Sequence, residues 1–279
     1  MPLSIPTLLR APWRAFVGAT AALALGGAGQ LHAEELKLGG TGAALGTMQL
    51  LADAYVEGHP DVKIVILPSM GSGGAIKAVM AGAIQLGLSS RPLTEAEVKG
   101  GAAEIEYGRT PLVFATSVAN KTVGVSTQDL VDIYAARTER WPDGTRIRLV
   151  LRPLGDVDSE FVKSLSPAMR EATSAAERRK GLSFAVTDQD AATSIENVPG
   201  ALGPSTLALI LSERRQIKAL KLNGIVPDTK SIADGTYPLQ KRLSFITGPK
   251  TDAAARAFVG FVRSASGRAI LERTGHWVK

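Results

Sequence analysis

Hydrophobic and polar positions follow two different periods near the beginning of the chain. Residues 36–38 are apolar at both ends and residues 62–67 are rich in β-branched side chains, which predicts two β-strands. Residues 47–57 lie between them and carry apolar side chains at the i, i+3, i+4 and i+7 spacing of an amphipathic helix. Glycine and proline at residues 58–60 end this helix. Strand, small-residue loop and helix in series predict an α/β fold with a parallel sheet.

The same order of elements continues along the rest of the chain. Further strands are predicted at residues 84–88, 112–116, 147–151, 182–186 and 243–247. Further helices are predicted at residues 75–80, 127–133, 171–180, 188–198, 253–262 and 267–273. Two sets of α/β units, with a late strand and two terminal helices, predict two lobes of which the first is discontinuous in sequence.

The pattern also predicts where the chain crosses between the two lobes. The chain leaves the first lobe near Thr110 and Pro111 and returns near residues 241–245. This predicts lobe 1 at residues 34–111 and 244–279, and lobe 2 at residues 112–243. Two crossings form a hinge, and open α/β sheets bind ligands beyond the carboxyl ends of their strands. We therefore expect a ligand to bind between the lobes.

The first 33 residues have the order of segments that is typical of a secretory signal peptide. Arg10 and Arg14 precede an uncharged, apolar run at residues 15–29, and Ala33 offers a small residue for cleavage. A membrane anchor is the alternative, but this run is shorter than the ~20 residues needed to span a bilayer. The chain contains no cysteine, which excludes disulfides and an N-terminal lipid anchor. We expect a mature, monomeric protein that begins after Ala33 and is free in the periplasm.

The charge of the chain is compatible with an anionic ligand but does not identify one. The sequence has 32 Lys and Arg against 26 Asp and Glu, a net charge of +6. Removal of residues 1–33 takes away two arginines and leaves +4. The basic residues are scattered, aromatic residues are few and no nucleic-acid-binding motif is present, so we expect no nucleic-acid partner. Without cysteine, paired histidines or an acidic cluster of suitable spacing, no metal or cofactor is expected either.

Three small-residue loops follow strands and precede helices, at residues 40–46, 69–74 and 89–94. Glycine lets successive N–H groups approach one acceptor, and the first turn of a helix adds unpaired N–H groups and a partial positive charge. An oxyanion can be bound by this arrangement without a lysine. Any one of these loops alone is more often a plain turn, and none is a nucleotide P-loop because no Gly-Lys-Ser/Thr follows. Their equivalent positions favour a shared anion site, with hydroxyl donors from Thr41, Ser72, Ser89 and Ser90.

Each charged residue in the loops has both a functional and a purely structural interpretation. Arg152 ends a strand of the second lobe, where its guanidinium could bind an oxyanion or simply face solvent. Asp156 and Asp158 could contact the ligand, pair with Arg152 or cap the helix around Ser159. Arg91 is either a ligand contact or a solvated loop residue.

The histidines argue against a hydrolytic enzyme. Outside residues 1–33 the sequence has only His59 and His276, and neither is predicted to lie near the three loops. A serine nucleophile in these loops would therefore have no histidine base within reach. We expect a binding protein without enzymatic activity.

Several motifs together resemble the phosphate-binding components of bacterial ABC importers, which are periplasmic binding proteins of the second structural class. The matching segments are residues 40–42, 71–77, 88–93, 129–134 with Trp141, 200–203 and 235–239. The resemblance covers nearly all of residues 36–279. It implies a two-lobed α/β fold in which each lobe is a mixed, mostly parallel sheet flanked by helices.

The resemblance also implies positions for the ligand-binding residues. Together with the loop analysis it gives the candidate site Thr41, Gly42, Ala43, Ala44, Leu45, Ser72, Gly73, Ser89, Ser90, Arg91, Arg152, Asp156, Asp158 and Ser159. The chain departs from the family at Ser90, where family members often have an aspartate that accepts a proton from phosphate. It departs again after Arg152, where the family usually has Ser-Gly-Thr and this chain has residues 156–159. Acidic residues there would repel a fully ionised anion unless they are protonated or paired.

These observations predict an extracytoplasmic solute-binding protein of an ABC importer that binds phosphate or a similar small oxyanion between two lobes. Its partner would be the permease of that importer in the inner membrane. The alternatives are a sensor module for another small anionic or zwitterionic solute, without a transport role, and, more remotely, a hydrolase.

Overall fold

The computed structural model describes residues 34–182 and 184–279, and the predicted signal peptide lies outside them. The strands are β1 (Glu34–Gly40), β2 (Val62–Ile66), β3 (Leu86–Ser89), β4 (Ala103–Ser117), β5 (Gly124–Val125), β6 (Arg148–Leu149), β7 (Ala201–Thr206), β8 (Ile217–Ala219), β9 (Lys221–Leu222) and β10 (Gln240–Thr247). The helices are α1 (Gly42–Gly58), α2 (Gly71–Ala81), α3 (Glu95–Lys99), α4 (Thr127–Tyr134), α5 (Val157–Ser164), α6 (Pro167–Glu177), α7 (Asp188–Asn197), α8 (Leu207–Ser212), α9 (Thr229–Ala233), α10 (Ala253–Val262) and α11 (Ala265–Arg273).

The strands form a mixed sheet with parallel outer pairs and an antiparallel centre. The order is β2-β1-β3-β10-β4-β7-β6, and β8 also pairs with β4. β1 is parallel to β2 and β3, and β6 is parallel to β7. β10 is antiparallel to β3 and β4, and β4 is antiparallel to β7 and β8. The sheet is therefore mixed, as the predicted fold class has it, because β4 and β10 run against their neighbours.

The long strand β4 joins the two halves of the fold. Its first part pairs with β10, the last pair being Pro111 with Gln240, and its second part pairs with β7 and β8 from Leu112 onward. Only the second part was predicted from the sequence. The first part alternates charged and apolar residues, and Glu104 binds Arg242 of β10 at 2.5 Å. β4 and β10 thus form two adjacent crossings, which fit the predicted hinge.

Hydrophobic side chains pack into clusters on both sides of these crossings. One cluster draws on residues 36–107 and 243–271, with Met48, Leu51 and Phe258 fully buried. Another draws on residues 112–239, including Phe114 and Tyr134. The boundaries of the lobes, at residues 34–111 with 244–279 and at 112–243, stay a prediction.

Two of the three predicted loops are in part helical, which corrects the sequence interpretation. α1 begins at Gly42 and α2 at Gly71, so most of the loop glycines lie in the first helical turns. Gly71 has φ +66°, a left-handed conformation that favours glycine, and it turns the chain into α2. The predicted strands at 147–151 and 182–186 are reduced to β6 and to a single bridge between Leu151 and Phe184. Within the described residues, no helix combines the length and apolar character needed to cross a bilayer.

Candidate functional site

A cleft of about 240 Å³ lies where the N-termini of α1, α2, α5 and α7 come together. Its lining residues are Thr41, Ser69, Met70, Gly71, Ser72, Ser90, Arg152, Asp156, Val157, Asp158, Val186, Thr187, Asp188 and Lys241. A larger cavity of about 550 Å³ lies beside β6 and α7, and none of the predicted site residues lines it. The cleft is therefore the candidate ligand site.

One side of the cleft, here called the hydroxyl wall, consists of Thr41, Ser69–Ser72 and Ser90. Ser90 Oγ donates to Thr41 Oγ1 at 3.3 Å, and the Ser90 N–H donates to Ser72 Oγ at 3.0 Å. The hydroxyls of Ser72 and Ser90 are also 3.3 Å apart. With Ser90 donating to Thr41, the Thr41 hydrogen is not used within this triad and is left to donate to a ligand.

Backbone geometry holds the hydroxyl wall in place. The Thr41 N–H donates to the Leu88 carbonyl at 3.0 Å, which fixes the beginning of α1 against the end of β3. Helix α1, of 17 residues, and helix α2, of 11 residues, both begin at this wall. Each helix brings unpaired N–H groups and a partial positive charge to the cleft. This wall therefore offers donors to an anion without carrying an ionisable side chain.

The opposite side, here called the charged wall, consists of Arg152, Asp156–Asp158 and Val186–Asp188. Arg152 Nε and Nη2 donate to the two carboxylate oxygens of Asp156 at 3.2 and 3.1 Å, and Nη1 donates to the Ala185 carbonyl at 2.8 Å. Asp156 is also the N-cap of α5 and accepts from the Asp158 N–H at 2.9 Å. Asp156 therefore both caps a helix and pairs with Arg152, two of the roles that the sequence left open.

Lys241 of β10 reaches the charged wall and contacts two of its carboxylates. Its Nζ forms an ion pair with Asp158 Oδ1 and lies 3.4 Å from Asp188 Oδ1. Asp188 Oδ2 is 3.9 Å from Arg152 Nη2. Lys241 and Asp158 are each only 1% exposed. Neither Lys241 nor Asp188 was among the site residues predicted from the sequence.

Burial shifts the acid–base behaviour of this cluster. It raises the pKa of Asp158 to about 6, although Lys241 acts in the opposite direction. Burial alone would also raise the pKa of Asp188, but Lys241 and Arg152 overcome it and hold that pKa below its usual value. Asp158 is therefore the carboxylate that takes up a proton first as the pH falls.

Not all of the predicted site residues line the cleft. The structure brings together Thr41, Ser72, Ser90, Arg152, Asp156 and Asp158. The residues outside the lining are Gly42, Ala43, Ala44, Leu45, Gly73, Ser89, Arg91 and Ser159. For these residues, as for the six in the lining, a part in ligand binding stays a prediction.

Hydrogen bonds explain the position of the polar residues outside the lining. The guanidinium of Arg91 binds both carboxylate oxygens of Glu97 at 2.6 and 2.9 Å. Ser89 Oγ donates to the Arg91 carbonyl at 2.7 Å, and Ser159 Oγ donates to the Arg152 carbonyl at 3.3 Å. Their side chains thus support the loops from outside the cleft.

Both histidines of the described residues lie away from the cleft. His276 is 1% exposed, and burial lowers its pKa to about 4. The His59 ring stacks on Tyr55 at 4.0 Å. Neither is among the residues that line the cleft, so the hydroxyls of Ser72 and Ser90 have no histidine base there.

Two features of the sequence could have located Lys241 and Asp188. Lys241 begins the return crossing that the sequence predicts at residues 241–245, and Asp188 is the first residue of the predicted helix 188–198. A hinge strand and a helix N-terminus both point to the space between the lobes. Their meeting at one ion pair depends on tertiary structure, which no local pattern contains.

Comparisons with known proteins give relatives over most of the chain. Residues 26–266 match the family model of the PBP superfamily domain. The phosphate-binding protein PstS of Bacillus subtilis (strain 168) is 24% identical over 240 residues, which are 82% of this chain and 75% of that protein. A putative phosphate ABC transporter substrate-binding protein from Clostridium perfringens, solved with bound phosphate, has a TM-score of 0.73 at 18% identity and covers 88% of this chain and 100% of its own. An ABC-type phosphate transport receptor from Vibrio cholerae has a TM-score of 0.61 at 18% identity, and it covers 88% of this chain and 100% of its own.

These findings confirm the predicted fold class, a two-lobed periplasmic-binding-protein fold of α/β type. The relatives are binding proteins of phosphate transport systems, not enzymes, as the sequence predicted. The family model covers far more than half of the chain, and we conclude that this protein belongs to the PBP superfamily domain family.

Proposed function

We propose that this protein is the extracytoplasmic solute-binding component of an ABC importer and that it binds phosphate or a similar small oxyanion in the cleft. The observation that supports this most is the convergence of the α1 and α2 N-termini with the hydroxyls of Thr41, Ser72 and Ser90. Together they offer several fixed donors to one small anion. The names of the relatives point to the same class of ligand.

In this proposal the two walls have different roles. The hydroxyl wall binds the oxygens of the anion, with Thr41 as a direct donor. Arg152 lies opposite, 4% exposed, with part of its guanidinium already bound to Asp156. It therefore acts mainly through its charge and through the two N–H groups that Asp156 and Ala185 leave free. Closure of the lobes would remove water from around the anion and strengthen these contacts.

The location and partner follow from the same proposal. Export would remove residues 1–33, and the mature protein would carry its solute through the periplasm to a permease in the inner membrane. N-terminal sequencing of the exported protein tests the first step, because the mature chain should begin at Glu34. A different mature N-terminus, or retention of the apolar segment, would contradict it.

Calorimetry of the exported protein, freed of bound solute by partial unfolding and dialysis, tests the binding. Phosphate, sulfate and molybdate are titrated separately, and at least one should bind with a Kd well below about 1 mM. Thr41→Val should weaken that binding by about fivefold to tenfold, the value of one hydrogen bond of ~1–1.5 kcal/mol.

Thr47→Val is the matched control for this substitution. Thr47 is fully buried in α1, the helix that Thr41 immediately precedes, and does not line the cleft, so its loss should leave affinity unchanged. If no oxyanion binds below about 1 mM, the proposed function is overturned. If the two variants have the same effect, Thr41 is not a ligand donor.

A further inference from the structure

The cleft contains an unbalanced charge. Among the described residues, its ionisable lining groups are Arg152, Lys241, Asp156, Asp158 and Asp188. Three carboxylates thus face two cations, and the hydroxyl wall adds no ionisable group. Counted over side chains this is one excess negative charge, which the N-termini of α5 and α7 offset in part and which a ligand cation would offset further.

Contacts within the cluster show where the excess charge lies. Asp156 is paired with Arg152 through two hydrogen bonds. Asp158 and Asp188 share the single ammonium of Lys241, and Asp188 reaches Arg152 only at 3.9 Å. The excess charge therefore belongs to the pair Asp158 and Asp188, and both of these carboxylates line the cleft.

The cleft also has room for more than a bare oxyanion. Its volume of about 240 Å³ corresponds to about eight water molecules at ~30 Å³ each. A tetrahedral oxyanion has five heavy atoms and leaves part of this space. Apolar side chains of Met70, Val157 and Val186 line the cleft as well, and Val186 is 69% exposed. A short organic substituent could pack against them.

We propose that the preferred solute is a compact zwitterion, an oxyanion that carries an ammonium group on a short substituent. The oxyanion binds the hydroxyl wall, and the ammonium lies beside Asp158 and Asp188 and neutralises their excess charge. This inference rests on the proposed function and narrows its ligand from small oxyanions in general to amino-substituted ones. Aminoalkylphosphonates have this chemistry, and we use them as probes.

The acid–base behaviour of the cluster agrees with this geometry. The groups that face Asp158 are Lys241 of β10, Asp188 of α7, Asp156 at the start of α5 and Arg152. Burial raises the pKa of Asp158 to about 6, so in the absence of ligand this pair gains a proton in mild acid. A bound ammonium would take the place of that proton and release it to solvent.

A matched pair of ligands tests the proposal. Aminomethylphosphonate and methylphosphonate share one anionic head and differ in the ammonium group. In calorimetry of the exported protein at pH 8, we expect aminomethylphosphonate to bind at least tenfold more tightly. Asp158→Asn removes the excess charge with little change of shape and should abolish most of this preference.

Asp190→Asn is the control for this variant. Asp190 is exposed in the first turn of α7, close to Asp188 in sequence, and does not line the cleft. It makes the same change of charge and should leave the tenfold preference intact. A similar loss of preference in both variants would show that net charge, not the cleft, selects the ligand, and would overturn the inference.

Proton release provides an independent readout at pH 6. Titrations of aminomethylphosphonate in buffers with different ionisation enthalpies should show release of protons in the wild-type protein and less release in Asp158→Asn. Proton uptake, or a preference for methylphosphonate or inorganic phosphate, would overturn the inference and leave the proposed function standing. Failure of phosphate, sulfate, molybdate and both phosphonates to bind would instead overturn the proposed function itself.

Discussion

The two walls of the cleft present polar groups to a ligand in different ways. The hydroxyl wall presents uncharged donors, the hydroxyls of Ser72 in the first turn of α2, of Thr41 just before α1 and of Ser90 just after β3. The charged wall presents a guanidinium and carboxylates that are largely bound to one another or to Lys241. Donors that belong to the backbone and to short side chains need no counter-ion. Buried charges do need a counter-ion, and here Asp156 lies only four residues from Arg152, whereas Lys241 comes from a distant part of the chain.

This difference has consequences for stability. Loss of one hydroxyl removes a neutral hydrogen bond, whereas loss of one charge leaves its partner buried and unpaired. The first change costs about 1 kcal/mol and the second about 3–5 kcal/mol. We therefore expect substitutions in the charged wall to affect folding far more than substitutions in the hydroxyl wall.

The largest effect is expected for Lys241→Met. Methionine fills a similar volume but leaves Asp158 and Asp188 without their ammonium. The free energy of unfolding should fall by about 3–5 kcal/mol at pH 7.5, as measured by urea denaturation. Part of the lost stability should return at pH 5, where a proton on the carboxylates can take the place of the Lys241 ammonium.

Lys63→Met is the control for this prediction. Lys63 pairs with Glu35 on the surface, and its side chain is 63% exposed. Its substitution should leave the stability nearly unchanged because solvent already screens the pair. Equal effects of the two substitutions would mean that Lys241 is not a buried counter-ion.

The second prediction concerns the contact between the two sides of the cleft. A Cβ atom at Gly42 would lie 2.3 Å from Gln189 Oε1 and 2.7 Å from Asp188 Oδ2. Gln189 Nε2 also donates to the Gly42 carbonyl at 2.9 Å. Gly42→Ala should therefore lower the free energy of unfolding by about 1–3 kcal/mol through overpacking.

Gly73→Ala sharpens this comparison. Gly73 lies in the first turns of α2, and a Cβ atom there meets nothing within 4 Å. Alanine should raise the stability by about 0.5–1 kcal/mol, because glycine loses more conformational entropy in a helix. If urea denaturation showed that both substitutions change the free energy of unfolding in the same direction, close contact at Gly42 would not explain the effect of Gly42→Ala.

The third prediction is a pH dependence that belongs to the charged wall. The pKa of Asp158 is about 6 in the folded protein and 3.8 in an unperturbed carboxyl, so between these values the folded state binds more protons. The contribution of Asp158 to the free energy of unfolding therefore rises as the pH falls through 6. Above that pH the ionised, buried Asp158 is unfavourable. Between pH 7.5 and pH 5 the gain should be about 1–2 kcal/mol.

Asp158→Asn isolates this contribution. The variant cannot take up the proton, so the difference in unfolding free energy between wild type and variant should change by that amount over the same pH range. Urea denaturation at several pH values measures it. A difference that stays constant with pH would show that Asp158 does not titrate near 6.

The two walls also differ in how well the sequence predicts them. β1, α1 and β2 follow from local periodicity, and Ser72 and Ser90 follow from their place after strands. The first part of β4 was missed although Ile105 and Tyr107, which pack in the core, alternate with Glu104 and Glu106. The local pattern of a strand was present there, whereas the pairing of Glu104 with Arg242 of β10 depends on tertiary structure.

The charged wall could be predicted only in part. The family resemblance pointed to Arg152, and Asp156 was recognised as a possible helix cap. Lys241 and Asp188 were missed, because they are 53 residues apart and meet only when β10 crosses back past α7. The capping box of Thr94 with Glu97, by contrast, depends on residues only three apart, so a local sequence pattern is enough to indicate it.

The smallest effect is expected for Arg91→Ala, which tests whether the hydroxyl wall is free of charge. Arg91 was a candidate ligand residue, yet it binds Glu97, and the Arg91 side chain is 28% exposed. The substitution should change oxyanion affinity less than twofold and stability by less than ~1 kcal/mol. Arg91 donates hydrogen bonds to Glu97 and lowers its pKa to about 2, so NMR titration should show that pKa rising in the variant. The pair stabilises the fold above pH 4.5 and loses this effect as the pH falls toward 2, so the two proteins should converge in acid. A large loss of affinity without a change at Glu97 would place Arg91 in the ligand site and give the hydroxyl wall a charge after all.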